Sequence, residues 1–205
     1  MITTAKQSSI LQNFPKYRSM LAGNSAYVPP AFESIMTVSG SGSSGTVTLS
    51  AIPSTYTHLQ LRWIGRQTQS GRSDNAAIWL TFNSDSGANY AYQNFLGYPS
   101  STSVQSQQNQ NYIALENSLT RGASTTNNYG VGVLDILDYT NTSKWKAVRS
   151  FQGVNQNTAD NGLALTNGQW RSTSAITSIT ITEQTGFGNL TTLSNFALYG
   201  IKTMA

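Results

Sequence analysis

The chain has 205 residues, with 12 Lys and Arg against 8 Asp and Glu, a net charge of +4, one His and no Cys. The basic residues are scattered instead of forming a stripe, so no nucleic acid is expected as a partner; without Cys there is neither a disulfide framework nor a thiolate metal site, and one His excludes a histidine metal cluster. No apolar run approaches the length of a membrane span or of a signal-peptide core, so neither membrane insertion nor leader-directed secretion is expected.

Two parts are predicted, an N-terminal arm over residues 1–31 and a β-domain over residues 32–205. Thr4 and Gln7 have the spacing of a capping box, Ile10, Leu11 and Phe14 fall on one helical stripe, and Pro15 ends it. Tyr17, Met20 and Leu21 follow, then the stiff Val28-Pro29-Pro30. So many large side chains predict a partly helical, extended arm that docks on other subunits of an assembly; a frayed terminus is the alternative.

From Phe32 the pattern has a period of two. Phe32 to Val38 is a strand, and the Gly-Ser run from Ser39 to Gly45 is a loop that lacks the Lys-Ser ending and following helix of a phosphate cradle. Val47, Leu49 and Ala51 mark a second strand. After the Ile52-Pro53-Ser54 corner, Leu59, Leu61 and Trp63 point one way while His58, Gln60, Arg62 and Ile64 point the other. Ile78, Leu80 and Phe82 answer them across a polar loop, which predicts an antiparallel hairpin between these two strands. A lone hairpin is marginal in water, so its apolar face requires a second sheet.

The loop Asn83 to Asn89 has oxygens at alternate positions but no bidentate Glu behind it, which favours an Asx turn over a calcium site. Tyr90, Tyr92, Phe95 and Tyr98 form an aromatic strand, and the Ser, Gln and Asn stretch from Pro99 to Asn111 reads as a surface insertion. Tyr112 to Leu115 is a short strand. Tyr129 to Tyr139 is a long one, turning at Thr140 to Ser143 into Lys144 to Val154, with Trp145, Ala147 and Phe151 as its apolar positions. Gly162 to Trp170 reads as a short pair, Ile176 to Thr182 as a strand, and Leu193 to Lys202 as the closing strand. Eight or more strands without a helix after the arm select an all-β fold, an antiparallel two-sheet sandwich or jelly roll.

Chemistry has little to work with. A Ser-His-Asp arrangement would have to be built on His58, and no nucleophile motif surrounds any Ser; His58 reads as a half-exposed strand residue hydrogen-bonded locally. Of the eight carboxylates no two form a glycosidase signature, and Asp135 and Asp138 point to opposite faces of their strand. No catalytic residue, no cofactor and no metal ligand is therefore expected. What remains is recognition. Tyr90, Tyr92 and Tyr98, with Gln105, Gln107 and Asn109 beyond them, pair aromatic rings with amides, as a sugar's apolar face and hydroxyl rim require; membership of the sandwich core is the alternative for the rings.

At IPSTYTHLQLRWIGR, FNSDSGANYAYQNFLGY and LSNFALYGIK, and in the earlier FPKYRSMLAGNSAYVPPAFESI, the sequence resembles β-sandwich virion proteins of tailed phages, particularly those of cyanobacteria and other aquatic bacteria. The resemblance implies a tail-fibre or tail-tip component, released with the virion by lysis, trimeric, bound to other virion proteins through Ile10, Leu11, Phe14, Tyr17, Met20 and Leu21, and touching a host-surface glycan. A capsid decoration or cement protein is the alternative. The missing repetitive shaft favours a compact appendage over an elongated fibre.

Overall fold

A computed structural model describes residues 31–69, 75–122, 127–156, 161–184 and 188–202. The expected arm, including Ile10, Leu11, Phe14, Tyr17, Met20 and Leu21, thus lies outside the described residues except for Ala31. The described residues contain strands and no helix. In chain order the strands are β1 (Phe32–Ser39), β2 (Thr46–Leu49), β3 (His58–Gly65), β4 (Asn75–Phe82), β5 (Tyr90–Tyr98), β6 (Ser101–Gln110), β7 (Ile113–Thr120), β8 (Gly130–Leu137), β9 (Lys146–Val154), β10 (Gly162–Trp170), β11 (Ile179–Glu183) and β12 (Asn195–Ile201).

They form two antiparallel sheets, as expected for a β-sandwich. The larger has eight strands in the order β1-β12-β3-β8-β9-β10-β5-β6, and the smaller has four in the order β2-β11-β4-β7. One apolar cluster lies between them, with Leu59, Leu61, Trp63, Leu134, Ile136, Phe196 and Leu198 from the large sheet and Leu49, Ile78, Leu80, Phe82, Ile113, Leu115, Ile179 and Ile181 from the small one. Trp63 crosses the gap: its indole N–H donates to the Ser118 carbonyl on β7 at 3.2 Å. Its ring lies over Gly132, its register partner on β8, where an added Cβ would sit 2.1 Å from the indole. Only glycine lets the ring lie flat there.

Several expectations are corrected. β3 and β4 are not a hairpin: β3 pairs with β12 and β8 in the large sheet, while β4 pairs with β11 and β7 in the small one. Their apolar faces do meet, but across the core. Alternation specifies which face is buried, not which strand lies alongside, and after β3 the chain crosses to the small sheet, where Arg66 bridges Thr120. The stretch from Pro99 to Asn111 is not a loop. Pro99-Ser100 is a two-residue connection, and β6 pairs with β5 from Tyr98↔Ser101 onward. It shows no apolar period because it is an edge strand with both faces wet. Gly162–Trp170 is one strand between β9 and β5, not a short pair.

A fourth correction is of face. On β9 the buried positions are Lys146, Val148, Ser150, Gln152 and Val154, so Trp145, Ala147 and Phe151 point outward. The polar inward groups are all engaged. Gln152 Nε2 donates to Thr166 Oγ1 at 2.9 Å, Thr166 Oγ1 donates to Asn94 Oδ1 at 2.7 Å, and Asn94 Nδ2 reaches the Ala114 carbonyl at 3.3 Å. Ser150 joins through Gln152 Oε1 at 2.7 Å. Among the described residues no buried side-chain nitrogen or oxygen lacks a hydrogen-bond partner, which is the condition for polar groups to be tolerated at this depth.

Candidate functional site

The six residues expected to meet a glycan are split by the structure. On β5 the inward positions are Tyr90, Tyr92, Asn94 and Leu96, so the period of two sends both tyrosines into the core, where Tyr90 is 0% and Tyr92 9% exposed. The Tyr90 hydroxyl accepts the Phe82 N–H at 3.0 Å and donates to the Asp85 carbonyl at 3.1 Å. Burial pushes both phenols up to about 12. These two rings belong to the core that holds the sandwich together. Tyr98, at the strand end, is exposed. Gln105 pairs in register with buried Asn94 and so lies on the inward side of β6. Asn109 accepts a bond from Arg171 at 2.7 Å. Of the six, Tyr92 and Gln107 belong to the lining of one recess and Tyr98 to that of another.

That recess, of about 560 Å³, lies on the outer face of the large sheet over β9, β10, β5 and β6. Ala147 and Ala91 keep its floor low. Gln93, Asn167 and Gln169 stand on it, Ser106, Gln107 and Gln108 form the β6 side, and Trp145 forms the opposite wall with 52% of its surface exposed. Trp145 is thrown outward because Lys146 turns in. The Lys146 ammonium is fully buried and donates to the carbonyls of Asn141, Lys144 and Thr173, the last two at 3.1 Å. Desolvation, aided by the charge of Lys144, pushes its pKa down. This anchor fixes the turn before β9 and with it the indole. Gly168 makes the floor thin: an added Cβ would come within 2.8 Å of Val148 and 2.9 Å of Ile113 below. Arg171 is the guanidinium on the rim, and it is tethered to the Ala88 carbonyl and Asn109 Oδ1.

A second recess on the same face, about 960 Å³, is lined by Tyr98, Pro99, Tyr129, Val131, Val133, Phe151 and Leu163 over Gly97, Gly132 and Gly153. Beside it runs an apolar row in register across five strands, Val133, Phe151, Leu165, Phe95 and Val104. All but Val133 are about half exposed or more. The outer face therefore has an amide half and an apolar half.

No family model, curated protein or solved structure matches this chain. The chemistry of the two halves is what bears on function.

The other singled-out residues are accounted for locally. His58 Nδ1 accepts the Asp138 N–H at 2.9 Å, the local bond expected of it, and Asp138 pairs with Lys144. The Asp85 carboxylate receives Trp170 Nε1 at 2.7 Å, Gly87 N at 2.8 Å and Asn89 Nδ2 at 2.9 Å, so the Asx-turn reading holds. Burial would raise its pKa, but these three donors outweigh it and hold the carboxyl below its ordinary range. Trp145, Gln93, Asn167 and Gln169 escaped sequence reasoning. Their signal was alternation itself, since each is an outward neighbour of a buried residue.

Proposed function

We propose that this chain is a non-enzymatic virion protein of a tailed phage, a tail-fibre or tail-tip component whose amide-lined recess binds a neutral glycan of the host surface. The observation that carries the reading is the pairing of an exposed indole, Trp145, with the outward amides of Gln93, Asn167 and Gln169, beside Ser106, Gln107 and Gln108 of β6, around one recess. An indole face stacks on the apolar face of a pyranose, and amides supply both donors and acceptors to its hydroxyls. Arg171 on the rim is tethered to the Ala88 carbonyl and Asn109, which leaves the amides to set the preference for neutral sugars. The virion setting rests on the sequence resemblance. Such an open recess binds weakly per site, and attachment of a particle relies on many copies acting together.

The exposed apolar row favours a second reading, a decoration or cement protein whose outer face rests on neighbouring capsid proteins. Titration of the folded protein with neutral and acidic oligosaccharides, read from the Trp145 indole N–H resonance, tests the first. A shift with neutral sugars that Trp145→Ala and Gln107→Ala abolish supports it. No shift with any sugar, together with labelling of the protein on the capsid of intact particles, transfers the assignment to the second.

A further inference from the structure

Among the described residues the two sheets end in four edge strands, and three are blunted. β1 is interrupted by a register shift between Ser34 and Met36 and carries Glu33, which is bound by Lys202 and by Tyr56. β2 has four residues. β7 has a register shift against β4 between Ala76 and Ile78, and Arg66 bridges its last residue, Thr120. These are the ordinary devices that keep one sheet edge from pairing with another. β6 differs. It is ten residues long, STSVQSQQNQ, with no charge, proline or glycine, and every position is exposed or half-buried. Its pairing with β5 runs without a shift from Ser101 to Gln107, so this part of the edge is regular.

We infer that β6 is a self-association edge at which two copies of this chain pair antiparallel, with Val104 facing its own mate across the two-fold axis. Two observations select a second copy as the occupant. First, isologous pairing forces like to face like, so any charge on the strand would meet charge of the same sign or depend on register; β6 has none. Centring on Val104 places Thr102 opposite Ser106, Ser103 opposite Gln105 and Ser101 opposite Gln107, all neutral hydrogen-bonding neighbours. Second, the outer apolar row ends at Val104, which is 62% exposed. A mate related by the axis continues that row, from Phe95 and Val104 of one copy to Val104 and Phe95 of the other, and buries the valines against each other.

A strand edge accepts one partner, so the assembly closes at two copies where the resemblance implies three. The axis is perpendicular to the sheet, which leaves both outer faces on the same side. Ser106, Gln107 and Gln108 of each copy then border recesses on either side of the axis, their β6 sides offset by roughly 20 Å along the strand direction at about 3.3 Å per strand residue. If the glycan reading holds, the pair is a bivalent binder; the pairing itself does not depend on that reading.

Sedimentation velocity of the full chain over a range of concentrations tests the inference with three proteins. The wild type is expected as a dimer. Val104→Lys, a substitution at an exposed position, is expected as a monomer with an unchanged circular dichroism spectrum, because two ammonium groups meet at the axis. An equimolar mixture of Val104→Lys and Val104→Glu is expected to regain a mixed dimer. A wild-type monomer at every concentration, a trimer, a Val104→Lys protein that still dimerises, or a mixture that stays monomeric each overturns it.

Discussion

β3 and β9 lie in the same sheet, separated only by β8, yet they treat their two faces in opposite ways. On β3 the inward residues are Leu59, Leu61 and Trp63 and the outward ones are polar except Ile64. At the centre of β9 the inward residues are Ser150 and Gln152 and the outward one is Phe151; β10 and β5 repeat this with Thr166 and Asn94 inside, Leu165 and Phe95 outside. The β3 region follows the requirement of the core alone. The β9-β10-β5 region gives up apolar burial for a hydrogen-bonded network and shows its apolar side chains to water, an arrangement that earns nothing in folding and makes physical sense for a face that is covered in use.

The largest difference expected between the two regions is in stability. Trp63→Ala removes a buried ring wedged over Gly132 and a hydrogen bond to β7, and should destabilise by about 3–5 kcal/mol in chemical denaturation. A loss below about 1 kcal/mol would mean that the two sheets are not held together at Trp63.

Next comes the network. Thr166→Val keeps the side-chain shape but leaves Gln152 Nε2 without its acceptor and Asn94 Oδ1 without its donor. The expected cost is about 1–3 kcal/mol, the penalty of stranding buried polar groups. Replacing Asn94, Thr166 and Gln152 together by apolar residues should cost less than the sum of the single changes, since the three no longer strand one another. Additivity would show that the three do not act as one unit.

A smaller effect depends on pH. Desolvation raises the pKa of Glu116 on β7 above its ordinary 4.5. The native state then holds that proton more tightly than the unfolded chain, so stability falls as pH rises from about the ordinary value through the raised one. Asp85 has the opposite sign: its depressed carboxyl stabilises the fold above the ordinary 3.8, and that contribution is lost as pH falls toward the native pKa. Glu116→Gln should abolish the first slope and leave the protein more stable near neutrality. Urea midpoints measured from pH 3 to 8 check both signs, and an unchanged profile in the variant would exclude Glu116 as its source.

The same contrast shows what could be read from the sequence. Where one face meets the core, as in β3, alternation gave the strand and its buried side chains, and for β8 and β12 it gave the strand. It failed on β6, whose two wet faces leave no period, and on partnership, because Leu80 and Phe82 are buried identically whether β4 lies beside β3 or across from it. It failed again where Phe151 and Trp145 face water, because composition alone makes them core. The recess inherited the error. Tyr90 and Tyr92 share parity with buried Leu96, a pattern pointing inward, whereas Gln93, the next residue after Tyr92, carries the surface chemistry.

The smallest expected effect on folding is also the one that separates the two functional readings. Phe151→Ser with Leu165→Thr removes the middle of the outer row. Both side chains are about half exposed, at 53% and 48%, so the pair should change stability by no more than about 1 kcal/mol, close to the range for exposed sites. Threonine and serine keep the strands paired. The amide recess begins at the next outward row, at Asn167 and Gln93, and Trp145 lies on its far side, so sugar binding there should persist. If the row is a contact made in the virion, particles carrying this variant should incorporate less of the protein while the purified chain still binds glycan. Normal incorporation with lost adsorption would instead place the apolar row within the receptor-binding surface, next to the amides, and remove the reason for a cement role.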